Sequence, residues 1–213
     1  MSETLDAFRR EAQSLTDAAA TFSEDEWHAP TRCEPWTVRE LLGHVRVAIA
    51  WLPDMLAAAP PPRAEISAAE YYRPDARFSS RTNATRVDLA RAHAAGYPTG
   101  AALLRDFTTV WRKADRLCRA EPSSRVVITR HGDPILLSEF LVTRVLELAV
   151  HGLDLADAIG REPWLTPSAA EVVHRLLPGS PSRPDAGFLR KATGRAPLTA
   201  DEEALGIRRL TLG

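Results

Sequence analysis

The stretch SEFLVTRVLELAVHGLDLADAIG, residues 138–160, decides how the chain folds. Ser138 is a residue type that accepts hydrogen bonds at a helix start, and Gly160 one that tolerates the backbone just past a helix end. The spacing therefore predicts a helix from Ser138 to Ile159. Leu141, Val142, Val145, Leu146, Leu148, Ala149, Val150 and Leu153 cover most of its circumference, whereas Arg144, Glu147, His151 and Asp154 step by three, four and three along one narrow line. Periodicity leaves two readings of that line open. It is either a solvated stripe laced by an Arg144–Glu147 pair, or a polar seam facing a cavity inside a bundle.

Working outward, three more long amphipathic segments appear. Leu5, Phe8, Ala12, Leu15, Ala18, Ala19 and Phe22 recur at helical spacing and define a first helix ending before the polar run Ser23-Glu24-Asp25-Glu26. A second starts at Thr37, which can cap, with Glu40 three residues on to reach back and Trp36 to staple against Leu41. Its buried stripe runs from Val38 to Leu52, with a kink expected at Pro53 and fraying near Pro60-Pro61-Pro62. The third runs from about Gly100 to Ala120 on Leu103, Leu104, Phe107, Val110, Trp111, Ala114 and Leu117.

Between the second and third helices the chain reads as mostly irregular, with one short helix from Asn83 to Ala95. Arg125 to Arg130 and Pro134 to Leu137 flank His131-Gly132-Asp133 as a short hairpin. The expected fold class is mainly α: a four-helix bundle over residues 1–160, with a long crossover between its second and third helices. A short C-terminal appendage, 161–213, packs on it. Within it Ala169 to Leu177 and Ala186 to Thr193 read as short helices and Ile207 to Leu212 as a strand.

Composition narrows the partners. Hydrophobic residues make up 45% and charged residues 26%, enough for an ordinary core, and a formal net charge of −1 leaves no excess cation to displace counterions from nucleic acid. The longest apolar run, Val47 to Leu52, is far below the ~18 residues a membrane span needs. Cys33 and Cys118 have neither zinc-type spacing nor the numbers for a disulfide framework, so a reducing, cytoplasmic setting is expected and both read as small buried residues.

Glu147 and His151, at i and i+4, can bring a carboxylate oxygen and an imidazole nitrogen to one metal ion, and His44 on the flank of the second helix's stripe is the candidate third ligand. A core-edge histidine bonded to a backbone carbonyl is the alternative for His44. Three ligands of this kind leave an open coordination position, the arrangement of a reactive site able to activate water or a thiol.

These residues carry a resemblance. Thr31-Arg32-Cys33-Glu34-Pro35-Trp36-Thr37-Val38-Arg39-Glu40-Leu41-Leu42-Gly43-His44 and Arg144-Val145-Leu146-Glu147-Leu148-Ala149-Val150-His151-Gly152-Leu153-Asp154-Leu155 are similar to the two hallmark segments of the mycothiol-dependent maleylpyruvate isomerase family, within the DinB-like superfamily. Gly194-Arg195-Ala196-Pro197-Leu198-Thr199, followed by Asp201 to Gly206, resembles a segment near the C-terminus of many members. Residues 60–125 match loosely, through Arg81-Thr82-Asn83. The tail after the bundle looks short beside the C-terminal domain of isomerase-type members.

The resemblance implies a DinB-like four-helix bundle in which His44, Glu147 and His151 bind a divalent metal, usually zinc, with mycothiol as cosubstrate. Asp154 can support His151 from the next turn or pair with solvent, and Arg144 is a second candidate supporter of the ligands. Arg81, Asn83 and Arg195 are the candidates for a substrate's anionic groups, with surface solvation the alternative for the two arginines. The function so implied is a mycothiol S-transferase or isomerase acting on a small electrophile. Metal-dependent hydrolysis at the same site and a non-catalytic, dimerising or regulatory helical module are the competing readings. His28, His93, His131 and His174 read as exposed, and the five tryptophans as core or staple residues.

Overall fold

Helix starts in this chain are written in reciprocal hydrogen bonds. The Thr37 side chain accepts from the Glu40 backbone N–H while the Glu40 carboxylate accepts from that of Thr37, and Ser23 with Glu26 and Ser67 with Glu70 repeat the device. The computed structural model describes residues 1–73, 75, 79–177, 184–204 and 210. In chain order its elements are α1 (Ser2–Ala19), α2 (Glu24–His28), α3 (Val38–Ala57), α4 (Ala68–Tyr71), α5 (Ser80–Ala95), α6 (Gly100–Arg119), β1 (Val126–Ile128), β2 (Pro134–Leu136), α7 (Leu137–Ala158), α8 (Pro167–His174), α9 (Ala186–Ala192) and α10 (Ala200–Ala204).

The four long helices α1, α3, α6 and α7 are those expected. Both α1 and α3 pack on α6 and on α7, enclosing Phe8, Leu15, Leu41, Leu42, Ile49, Phe107 and Leu141 without solvent contact. Short β1 and β2 pair antiparallel, Val127 opposite Ile135, and deliver the chain into α7. At the far end of α7, Gly160 takes a φ of +64°, the left-handed turn anticipated for it. No described helix is long and apolar enough to cross a membrane.

Several local readings need correction. The polar run at Ser23 is itself the start of α2, whose capping box carries no apolar periodicity to betray it. The crossover holds α4 as well as α5, and α5 begins at Ser80, capped by Ser79, because its largely polar sequence hides its own first turn. Helix α3, by contrast, passes Pro53 and ends at Ala57, short of Pro60, as expected. Trp36, read as a staple for the start of α3, is buried and stacks on His44. The strand expected at 207–212 lies outside the described residues apart from Leu210, whose N–H donates to the Ala192 carbonyl.

The crossover matters because it brings α5 onto α3 beside His44. Gly43 permits this approach: a Cβ there would stand 3.0 Å from the Ala90 carbonyl and 3.3 Å from the Ala94 Cβ. After the bundle, α8 packs on α1 and α7, and α9 on α7. The junction with α1 is polar. Buried Glu11 accepts from the Thr166 N–H at 2.9 Å and from its hydroxyl at 2.6 Å, while Thr166 caps α8.

Two outcomes follow from this packing. Burial pushes the Glu11 carboxyl up to about 7, against the opposing Thr166 hydrogen bonds. Since this folded-state value lies above the ordinary 4.5, the contribution to stability is fully present below about pH 4.5 and is lost as pH rises through about 7. Wild-type protein is expected to lose up to about 3 kcal/mol between pH 5 and 8 relative to Glu11→Gln, read from urea unfolding at each pH. A Cβ on Gly100, at the start of α6, would fall 2.2 Å from the Trp27 ring. Gly100→Ala should therefore cost about 1–3 kcal/mol in the same assay, because that ring is buried and has no room to retreat.

Candidate functional site

Burial decides between the two readings of the α7 stripe. Arg144 is 4% exposed, Glu147 8%, His151 5% and Asp154 not at all, so the line is a polar seam inside the protein. His44 of α3 faces it, its Nε2 3.6 Å from Glu147 Oε2, and His151 Nε2 stands 3.2 Å from the same oxygen. One ligand atom from each of His44, Glu147 and His151 lies within 4.8 Å of the others.

Each member is held from behind. Trp36 stacks on the His44 ring with centroids 4.7 Å apart, and the His151 ring meets His44 edge-on at 5.1 Å. His151 Nδ1 lies 3.0 Å from Asp154 Oδ2, so with Nδ1–H donating to that carboxylate Nε2 presents its lone pair to the trio. Arg195 grips both Asp154 oxygens at 2.6 Å, and the Cys33 thiol donates to Oδ2 at 3.2 Å. Arg144 donates to the Ala48 carbonyl and the Thr143 hydroxyl, with its guanidinium 3.9 Å from Glu147.

The electrostatics follow. Burial pushes the Glu147 carboxyl up, but the facing His151 and His44 and the Arg144 charge prevail and hold it well below the usual carboxylate range. Burial also opposes charge on His151, yet Asp154, Cys33 and Glu147 raise its pKa well above 6.5. His44 goes the other way: desolvation brings it down to about 4 although Glu147 opposes, leaving a neutral imidazole, the form that ligates metals.

These residues fit a divalent cation. Glu147 Oε2 is buried and has no hydrogen-bond partner, a costly state for a carboxylate oxygen. Its separations of 3.2 and 3.6 Å from the imidazole nitrogens bracket the roughly 3.4 Å edge of a tetrahedron drawn at zinc–ligand distances of about 2.0–2.2 Å.

Two cavities meet at this cluster. The smaller, about 50 Å³, is walled by Trp51, Tyr71, Phe140, Arg130, Arg144 and Glu147 among others. The larger, about 470 Å³, is lined by Arg32, Cys33, Glu34, Asn83, His151 and Arg195, and His44 and Arg86 belong to both.

Not every residue singled out in the sequence converges here. Arg81 is exposed on the first turn of α5 and belongs to neither cavity wall. Asn83 lines the larger cavity and accepts from Arg86 at 2.7 Å. Arg195 is there too, but its guanidinium is committed to Asp154. Sequence reasoning missed others. Cys33 is half-buried in the site, His131 lines the smaller cavity, and Trp51, 37% exposed, stands in the same wall. The signal for Cys33 was its place just ahead of Trp36; Arg130 and His131 carried only the oddity of two basic residues at a tight turn.

Comparison with known proteins agrees with this architecture. Residues 8–156 match the family described as the mycothiol maleylpyruvate isomerase N-terminal domain. Uncharacterised proteins from two strains of Mycobacterium tuberculosis are each 30% identical over 156 residues, covering 71% of this chain and 54% of their own length. The chain thus spans about half the length of these relatives. The crystal structure of the mycothiol-dependent maleylpyruvate isomerase shares the fold with a TM-score of 0.57 at 19% identity, over 92% of this chain and 89% of that one. A histidine-to-alanine mutant of that isomerase gives 0.58 at 19% identity, over 82% and 66%. With the family match running from the first helix almost to the end of α7, this chain belongs to the mycothiol maleylpyruvate isomerase N-terminal domain family.

Proposed function

We propose that this protein is a metal-dependent, thiol-using enzyme, a mycothiol S-transferase or isomerase, that presents a low-molecular-weight thiol to a small electrophile. The observation that carries the reading is the buried trio of His44, Glu147 and His151, its ligand atoms mutually within 4.8 Å at the junction of two cavities. Membership of the family supports the choice of thiol. A divalent cation held there, zinc being the first choice for this donor set, would supply Lewis acidity that keeps a thiol of pKa ~8.5 as thiolate near neutral pH.

The protein's own residues do the remaining work. Glu147 contributes the one negative charge of the trio; His44 is already neutral, and His151, whose proton is held by Asp154 and Glu147, would give up its Nε2 proton as a cation binds. Asp154, clamped by Arg195, fixes the His151 ring so that Nε2 is the free nitrogen. This gives residues 161–213 a role beside the bundle of 1–160, since Arg195 braces a ligand from outside the four long helices. The larger cavity has room for the bulkier thiol and the smaller one for the electrophile.

Attack forms a carbon–sulfur bond at an unsaturated carbon while the π electrons move toward the electron-withdrawing group. Protonation of that carbanion then leaves a thioether, whereas rotation and expulsion of the thiolate returns the isomerised alkene. Reliance on a free thiol suits a reducing, cytoplasmic setting. No cysteine of the chain is needed as nucleophile.

Metal analysis of the purified protein should find about one divalent ion per chain, lost in His151→Ala and in Glu147→Gln. The wild type should consume mycothiol with members of an electrophile panel, and the two variants should not. A metal-replete protein that binds no thiol would turn the reading to hydrolysis, and absence of metal from these residues would leave a non-catalytic module. Asp154→Asn keeps all three ligands but loosens the His151 ring, so metal affinity should fall about 10–100-fold in competition with a chelator.

A further inference from the structure

The smaller cavity carries more information than its place beside the trio. Its walls mix aromatic and charged side chains: Tyr71 meets Phe140 edge-on at 6.0 Å, and Trp51 stands at 37% exposure in the same wall. Into these walls three guanidinium groups are set, those of Arg86, Arg130 and Arg144, against the single carboxylate of Glu147. Two of the three are already engaged. Arg144 donates to the Ala48 carbonyl and the Thr143 hydroxyl and lies 4.7 Å over the Phe140 ring, and Arg86 donates to Asn83.

Arg130 is different. Among the described residues its guanidinium makes one hydrogen bond, from Nε to His131 Nε2 at 3.2 Å, and no ion pair. Its terminal nitrogens form the planar fork that matches a carboxylate. Desolvation lowers the Arg130 pKa, Tyr71 opposes, and the like charges of Arg86 and Arg144 lower it further, so an anion placed among them would relieve that repulsion.

From these observations we infer that Arg130 is a specificity-determining residue and that the electrophile is a short, unsaturated monocarboxylate, its carboxylate on the Arg130 fork and its apolar body against the aromatic residues of the wall. Size argues for shortness: the cavity holds about 50 Å³, room for a hydrocarbon end of a few carbons, with the carboxylate on the solvent-exposed Arg130 in its wall. One uncommitted guanidinium argues for one carboxylate. The apolar body is called for by Trp51, Tyr71 and Phe140 in the wall, and the unsaturation by the thiol addition of the proposed function. The inference rests on the proposed function for the word electrophile, but the anion pocket itself does not depend on thiol chemistry.

The test is calorimetric and needs no turnover. Crotonate is titrated into the wild type, Arg130→Gln and Arg130→Lys, and crotonamide, its neutral counterpart, and maleate, a dianion, are titrated into the wild type. Arg130 is on the exposed hairpin turn, and unchanged unfolding midpoints check that both variants fold.

Crotonate should bind the wild type at least about tenfold more tightly than crotonamide does, and about tenfold more tightly than it binds Arg130→Gln, with Arg130→Lys between. Equal affinity of crotonate for wild type and Arg130→Gln, or equal affinity of crotonate and crotonamide, would overturn the assignment. Maleate binding tenfold better than crotonate would overturn the monocarboxylate class. The same samples assayed for mycothiol consumption separate the two ideas: crotonate binding without thiol turnover sinks the transferase reading and leaves the pocket, and turnover on neutral electrophiles without crotonate binding does the reverse.

Discussion

A carboxylate buried beside two imidazoles organises this molecule. Glu147 is 8% exposed, and an ionised group at that depth is tolerated only beside compensating charge and donors. His151 stands at 3.2 Å, His44 at 3.6 Å and Arg144 at 3.9 Å, and each of these must in turn be satisfied. The demand passes outward: from His151 to Asp154 and on to Arg195 in the tail, from His44 to Trp36, from Arg144 to the Ala48 carbonyl of α3. One polar chain thus ties α3, α7 and the segment after α9 together. Removing any interior member leaves an uncompensated buried group, at a cost comparable to truncating a core leucine.

Local rules place the members of that chain. The reciprocal bonds of Thr37 and Glu40 set where α3 begins, and His44 follows about two turns on, so the capping box sets both the height and the facing of the imidazole. Gly43 then lets α5 lie against α3 next to it, which brings Asn83 and Arg86 to the cavity walls from a segment of little apolar periodicity. The β1–β2 hairpin does the corresponding job on the other side, carrying Arg130 and His131 in its turn and leading straight into α7.

The parts legible in the sequence are those where one physical signal dominates. Apolar spacing revealed the four long helices, and Gly160 marked where α7 stops. Periodicity supplies the phase of a helix but not which phase faces inward, so the Arg144-Glu147-His151-Asp154 line stayed undecided until its burial was known. Resemblance to a family favoured the inward reading, on residues that spacing alone could not distinguish from a solvated face. Helices α2 and α4 were invisible because they are too short for a pattern and are held by capping. Cys33, Arg130 and His131 escaped for another reason: they sit on turns, where position is set by tertiary packing, and nothing nearby in sequence signals what they will face.

The two cavities at the trio differ in a way that bears on how an ordered reaction is possible at one centre. They share His44 and Arg86, so the chambers are separated by side chains and not by a helix. Each wall sets three arginines against one glutamate, so the chambers differ in size and in aromatic surface. The wider one, with Arg32, Glu34, Asn83, Arg86 and Arg195, has room for a polar, extended molecule, and the narrower one sets Trp51, Tyr71, Tyr72 and Phe140 beside Arg86, Arg130 and Arg144. Under the proposed function, size and aromatic surface would sort two reactants before either reaches the ligand atoms. A site that sorts in this way gains most of its advantage from orientation, since a nucleophile entering from one chamber meets an acceptor already held in the other. On the wide side Arg195 is spent on bracing His151 through Asp154, and Arg32 lies 4.0 Å from the same carboxylate, so under the proposed function the least committed guanidinium for a substrate carboxylate is that of Arg130 in the narrow chamber.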